Sequence, residues 1–464
     1  MSQSPKPIDD AKPSDGPEYG EEAFAGISTE HLYQKLQPIT LISTNWGQTW
    51  YCIPLAVFEP ETVEQCGTIL ELARREGKVV RAVGVGHSPS DLACTTGFMI
   101  RMTRMNRIIE ISSEKRCFEA EAGITLNELH QELGRHGLAF SSLGSISEQT
   151  LAGVISTSTH GTGLAFHLIV CSPTQDSDLF NATLCGIGAT GVILRVKMTV
   201  EPAFRLKEIG ETLPFDEFIG KMGELAKRAE HPRFWWFPAA GTVRCGYANR
   251  TTEPVRTNGS WFWDRLLAYH AVQAILFAGR YITSLNTYAG RFAAWLASGG
   301  SVVVNDSYKV FNVDCRYPQN TTEWALPLRN AEACIREFRQ WIEKEIRDPN
   351  GIRPHFPIEM RETTCWIGIV QFKPYGFDTP YHKYFDHFER VVFEHGGRPH
   401  WAKAHKLKPD DLRKLYPKFD DFRSVLDRVD VKGIFRSEYV QRHVFGVDVD
   451  PRVFKKRVLP GATR

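Results

Sequence analysis

The residues Arg81-Ala82-Val83-Gly84-Val85-Gly86-His87-Ser88-Pro89-Ser90-Asp91 carry the clearest chemical potential in the chain. Glycines two apart let backbone N–H groups close on a phosphate, and His87 follows at once, held against whatever bears that phosphate. Two familiar glycine-loop readings fail. A dinucleotide fingerprint needs a third glycine three residues after the second and a helix behind it, and Pro89 stands there. A phosphate-cradling NTPase loop needs Gly-Lys-Ser/Thr, which this loop lacks. A second run, Thr159-His160-Gly161-Thr162-Gly163, can likewise present N–H groups and hydroxyls. In Pro357-Ile358-Glu359-Met360-Arg361, two-residue alternation puts Glu359 and Arg361 on one side of a strand. A carboxylate beside a guanidinium suits a polyhydroxylated ligand, the first accepting hydroxyl protons and the second holding oxygens rigidly. The same composition also describes an ordinary cross-strand ion pair. His400 and His405, five apart with no third ligand nearby, do not make a metal site.

The elements that must position these residues are legible from periodicity. Thr62 to Arg75 reads as a helix, with Thr62 and Gln65 as a capping box and Val63, Cys66, Ile69, Leu70 and Ala73 on one face. The β-rich run Lys78 to Val83 follows, so the glycines open a loop at a strand's end, a common ligand position. A second helix starts at Thr125, boxed by Glu128, and Gly137 ends it. A third covers Asn330–Glu345, and the runs Val302–Tyr308 and Cys365–Phe372 read as strands. A chain of 464 residues with 42% hydrophobic content suffices for two or three packed domains. A net charge of +2, with no basic stripe interleaved with aromatics, argues against a nucleic-acid partner. Ten scattered cysteines with no Cys-x-x-Cys pair, and no visible secretory signal, fit reduced thiols in a cytosol-facing protein. Residues 1–38 read as a disordered acidic tail, the opposite of an arginine-rich presequence. Trp261 to Leu296 is rich in aromatics and leucine but is broken by Arg265, Arg280 and Arg291. Its longest uncharged part, Leu266 to Gly279, is too short to span a bilayer, leaving a buried helix pair or an interfacial anchor.

Five stretches occur in a fixed order: Asn45-Trp46, the Gly86–Asp91 loop, Gly144-Ser145-Ile146-Ser147-Glu148-Gln149, Thr159–Gly163 and Gly397-Arg398-Pro399-His400-Trp401-Ala402-Lys403. Together they resemble the sugar-1,4-lactone oxidases of the vanillyl-alcohol-oxidase flavoprotein superfamily, the fungal D-arabinono-1,4-lactone oxidases first and animal L-gulonolactone oxidase close behind. The resemblance runs from about Asn45 to His443. It implies an α+β, two-domain fold, with an FAD-binding domain over 39–202 and a cap domain of antiparallel sheet and helices over 203–464. It implies FAD, joined through its 8α-methyl carbon to His87, and held by Val83, Gly84, Val85, Gly86, Ser88, Gly144, Ser145, Ser147, Thr159, His160, Gly161, Thr162 and His400. It matches Glu359 and Arg361 to a substrate-binding pair, Lys403 to a cation against the flavin, and Ser145 to a position facing substrate. Gly144 matches the small residue that leaves O2 a path, where dehydrogenase relatives carry a bulkier one. The implied reaction is C2 oxidation of an aldonolactone by O2, giving an ene-diol lactone and hydrogen peroxide. Peripheral attachment to a mitochondrial membrane is also implied, with a cytoplasmic location as the alternative.

Two departures stand out. Relatives carry an extra strand-turn-strand stretch between His167 and Asp178, where Val170-Cys171-Ser172-Pro173-Thr174 bridges here. After Arg361, Glu362-Thr363-Thr364-Cys365 replaces a longer loop. Lost strands open a sheet edge or a cavity, so weakened activity, or a folded relative without catalysis, is the competing expectation.

Overall fold

The computed structural model describes residues 24, 26–141, 144, 146–159, 168–169, 176–257, 268–312, 317–361 and 364–454, with backbone alone at 168–169, 361 and 364. The helix Val63–Glu76 forms where its apolar spacing predicts. Thr62 caps it by accepting from the Gln65 N–H. The reciprocal half of the expected box is absent, because the Gln65 side chain accepts instead from the N–H of Glu61 at 2.6 Å. The Thr125–Glu128 box is complete over the helix Leu126–Arg135, and Gly137 follows it at φ +69°.

These helices cover two small sheets. One is parallel, in the order Ala56–Phe58, Phe98–Arg101, Val80–Val83; Phe58, Phe98, Val80, Ile69 and Leu72 fill its core. The other is antiparallel, in the order Ile108–Ser112, Cys117–Glu121, Arg195–Thr199, Leu168–Ile169. Its last strand pairs only with Lys197 and Met198, so most of that edge is left without a strand partner among the described residues. The shortened stretch at 170–174 lies outside the described residues.

The expected tail boundary at 38 is too late. Thr29–Leu36 is a helix capped by Ser28 that buries Leu32 beside Phe24 in the first core. Tyr33 donates to Glu76, Lys35 pairs with Glu64, and Arg75 donates to the carbonyls of Phe24 and Ile27. Acidic composition upstream masked this short apolar pair.

An eight-stranded antiparallel sheet dominates the second half, in the order Ser301–Asp306, Arg205–Pro214, Thr242–Thr251, His231–Phe237, Ile358–Arg361, Thr364–Phe372, Gln319–Pro327, Arg398–Pro399. Its back face carries Phe234, Trp236, Ile358, Met360, Ile367, Trp324 and Leu326 against the helices Phe215–Leu225, Leu328–Arg347 and His382–Glu394. Burying each such large side chain contributes about 1.5–3 kcal/mol. The opposite face carries Glu359 and Glu323 beside Trp235 and Trp366, and further along it Phe237, Val370 and Phe372 pack under the helices Ala268–Ala278 and Leu285–Ala297. Arg361 pairs directly with Trp366.

The expected unit 203–464 does not pack as one body. After about residue 400 the chain returns to the first half, where Leu412, Phe419, Leu426, Tyr439 and Val440 pack on Leu92, Ile187 and Ala189. The N–H of Val80 donates to the carbonyl of Ile434 at 2.6 Å, and Thr96 donates to Glu438. Sequence order misleads here because the returning helices bury their apolar faces on a partner far away in the chain.

Behind the sheet, burial pushes the Glu389 carboxyl up to about 7, against the pull of Lys406 and a hydrogen bond with Thr322. A raised carboxyl favours the fold below its unfolded value of 4.5, and that contribution is lost as pH rises through about 7. Glu389→Gln is therefore expected to leave the melting temperature unchanged below pH 4.5 and to raise it above pH 7, by the equivalent of up to about 3 kcal/mol. Thermal melts across pH check this.

Candidate functional site

The loop that leaves Val80–Val83 is pinned along its length. The Trp46 N–H donates to the Gly86 carbonyl at 2.9 Å. Asn45 Nδ2 donates to the Ser88 carbonyl at 3.1 Å, while its Oδ1 accepts from the N–H groups of Thr49 and Trp50. Trp50 Nε1 donates to the Pro89 carbonyl, and the Trp46 ring stacks on His87 with centroids 5.8 Å apart. From the other side, Ser90 Oγ donates to the Ala402 carbonyl at 2.9 Å, and Arg442 Nη2 donates to both oxygens of the buried Asp91 at 2.9 and 2.8 Å. Gly86 holds φ +74°, where a side chain is strained, and a Cβ at Gly84 would lie 2.1 Å from Thr150 Oγ1.

Val83, Gly84, Val85, Gly86, His87 and Ser88 line one cleft. Its far wall was not foreseen. Gln149, Thr150, Gly153, Thr157, Gly188 and Gly191 complete it. The overlooked clue is Gly186-Ile187-Gly188-Ala189-Thr190-Gly191, a second glycine-spaced run, here before a strand rather than after one. Unpaired polar atoms at the cleft, one donor, one ring nitrogen and one acceptor, fit a polar ligand such as a dinucleotide. Arg81 Nε, His87 Nδ1 and Gln149 Oε1 are buried at the cleft with no hydrogen-bond partner among the described residues. Polar atoms buried in that way are costly unless a ligand or water meets them.

Burial holds the His87 imidazole below the ordinary histidine range. The charge of Lys403 lowers it further and the carboxylate of Glu148 opposes this. A neutral ring nitrogen is the nucleophilic form. Lys403 and His87, 316 positions apart in sequence, thus meet electrostatically. The Lys403 Nζ lies 3.4 Å from Glu323 Oε2. His400 is buried, with Nδ1 accepting from the Ala402 N–H and its ring edge-on to Trp366. Trp401 packs on His405 and Tyr416, so it is a core residue.

Glu359 stands on the face of the large sheet opposite the core of Phe234 and Trp236, paired across to Trp235 and Gly368. Arg361, two residues on, pairs with Arg233 and Trp366 and shares that face by register, while its side chain lies outside the described part. Ser147 turns its hydroxyl to Asn312 Oδ1 at 2.8 Å, and it is absent from the residues lining the cleft. Thr159 sits beyond the helix Leu151–Ser156, its hydroxyl 3.0 Å from that of Thr157. Gly144 is buried. Ser145, His160, Gly161 and Thr162 lie outside the described residues.

Comparison with known proteins agrees with this geometry. Residues 196–443 match the family described as D-arabinono-1,4-lactone oxidase, and residues 54–173 match the FAD binding domain family. The L-gulonolactone oxidase of Scyliorhinus torazame is 36% identical over 435 residues, covering 86% of this chain and 98% of that protein. The putative D-arabinono-1,4-lactone oxidase of Neurospora crassa is 29% identical over 480 residues, covering 87% and 86%. Of these two, the animal enzyme is the more similar, the reverse of the order the motifs suggest. Both alignments are longer than the stretch of this chain they draw on, as expected if the relatives carry segments missing here. A solved cholesterol oxidase of Brevibacterium sterolicum shares the fold, with a TM-score of 0.73 and 14% identity over 89% of this chain and 98% of that one.

The contact at Gly84 yields a test. Gly84→Ala is expected to displace the loop, destabilising the protein by about 1–3 kcal/mol and weakening retention of bound flavin. Thr150→Ala in the same chain relieves the contact and restores part of both. Melting temperature and the ratio of visible to ultraviolet absorbance check it.

Proposed function

The chain belongs to the D-arabinono-1,4-lactone oxidase family, and from that premise we propose how this site works. The protein is an FAD-dependent oxidoreductase that oxidises an aldono-1,4-lactone. We assign D-arabinono-1,4-lactone as the preferred substrate, O2 as the acceptor, and the ene-diol lactone and hydrogen peroxide as products. The observation that carries this reading is the cleft lined by the Gly84–Ser88 loop, in which His87 Nδ1 is buried without a hydrogen-bond partner among the described residues.

The glycine loops at 84–86 and 186–191, with Arg81 Nε and Gln149 Oε1 beside them, would hold FAD, which would supply hydride acceptance from C2 of the lactone and electron transfer to O2. His87, kept neutral and stacked on Trp46, is the residue for a covalent link to its ring. Lys403 supplies positive charge where negative charge develops on the accepting ring. Glu359 accepts the C2 hydroxyl proton, directly or through water, and Arg361 fixes the lactone oxygens. Gly144 keeps the approach of O2 open.

Peripheral membrane association, mitochondrial by family resemblance, is a further part of this reading. No helix among the described residues is long and apolar enough to cross a membrane. The helices Ala268–Ala278 and Leu285–Ala297 pack one face on Phe237, Phe356 and Phe372 while Tyr281, Tyr288 and Trp295 stay exposed. An apolar ridge of that kind supports contact with a bilayer surface.

The yellow protein should bleach on anaerobic addition of D-arabinono-1,4-lactone, recolour in air, and release one peroxide per lactone. Glu359→Gln should lower kcat by about 100–10,000-fold, the usual worth of a positioned base. A colourless folded protein, or turnover with cytochrome c and no peroxide, contradicts the reading. Running L-gulono- and L-galactono-1,4-lactone in parallel tests the substrate assignment.

A further inference from the structure

Glu323 lies in the same rung of the large sheet as Glu359, with Gly368 between them on the intervening strand. Neighbouring strands are about 4.8 Å apart, so the two glutamate backbones stand about 10 Å apart on one face. Gly368 places no side chain between them. A Cβ there would meet only the Glu323 side chain within 4 Å, at 3.8 and 3.9 Å. Lys403 approaches the same carboxylate at 3.4 Å, and both side chains are mostly buried, 19% and 16% exposed. The backbone repeats the link. The His400 N–H donates to the Glu323 carbonyl and the Lys403 N–H to the His400 carbonyl, each at 2.9 Å.

We propose that Glu323 is a positioning residue that holds the Lys403 ammonium between the Glu359 face and the His87 loop. A lysine has four rotatable carbons and a strongly hydrated head, so without a carboxylate at that distance it turns away into water. Glu323 therefore fixes where the positive charge stands, and it acts through Lys403. The inference rests on the reading of Lys403 as the flavin's neighbour, and the test separates the two.

Sulfite bleaches oxidised flavins that lie beside a fixed positive charge, so its dissociation constant for the air-oxidised holoenzyme reports the position of the ammonium. Lys403→Met tests the underlying reading: unchanged sulfite affinity overturns it, and this proposal with it. Glu323→Ala is expected to weaken sulfite binding about tenfold, the scale of one lost charge-assisted contact. Glu323→Gln keeps an oxygen that accepts from the ammonium and should remain within about threefold of the wild type. Glu323→Ala added to Lys403→Met should change nothing further, because one contact is removed twice. Sulfite bound by Glu323→Ala as tightly as by the wild type, or more tightly, overturns the proposal. So do additive effects in the double variant.

Discussion

The arrangement depends on one loop being held from both ends of the chain. Residues 84–91 leave a short parallel strand with little regular structure of their own, and a loop of that kind is mobile unless its polar groups are met. Asn45, Trp46 and Trp50 meet them from the N-terminal side, Ala402 and Arg442 from the C-terminal side. Asp91 is 2% exposed, so removing its guanidinium partner would leave a buried charge, a loss of about 3–5 kcal/mol. The loop thus closes the contact between the flavin-binding half and the returning C-terminal segment. It also fixes the His87 imidazole beside the Trp46 ring.

The large sheet divides its labour by alternation. Phe234, Trp236, Ile358, Met360, Ile367 and Trp324 go into the helices behind, and the intervening Trp235, Glu359, Trp366 and Glu323 lie on the opposite face. A one-residue slip in any of these strands would exchange the faces, so the apolar back specifies the chemistry of the front. The register holds beside both stretches where the sequence departs from the family pattern: Ile358–Arg361 pairs with Thr364–Phe372, and Arg195–Thr199 pairs along its length with Cys117–Glu121.

Much of the site was legible in the sequence because it lies in local, glycine-marked turns. His87 and its flanking glycines, the helix before them and the Thr125 box are all short-range patterns. Glu323 was not legible. It sits in Glu323-Trp324-Ala325-Leu326, which reads as ordinary strand, and only the pairing of that strand with Gly368 brings it beside Glu359. The same holds for the 186–191 wall, where the Ile187 carbonyl accepts from Arg81 106 positions away, and for Arg442, which donates to Asp91 351 positions away. The acidic tail hid the helix Thr29–Leu36, whose burial depends on partners around Arg75 rather than on its own composition.

The central claim, that a neutral His87 carries the flavin, is tested most directly by mapping peptides of the acid-precipitated protein. The account predicts that flavin fluorescence and the added mass of FAD fall on the peptide containing His87, with none in the acid supernatant. An unmodified His87 peptide together with free FAD in the supernatant would contradict it.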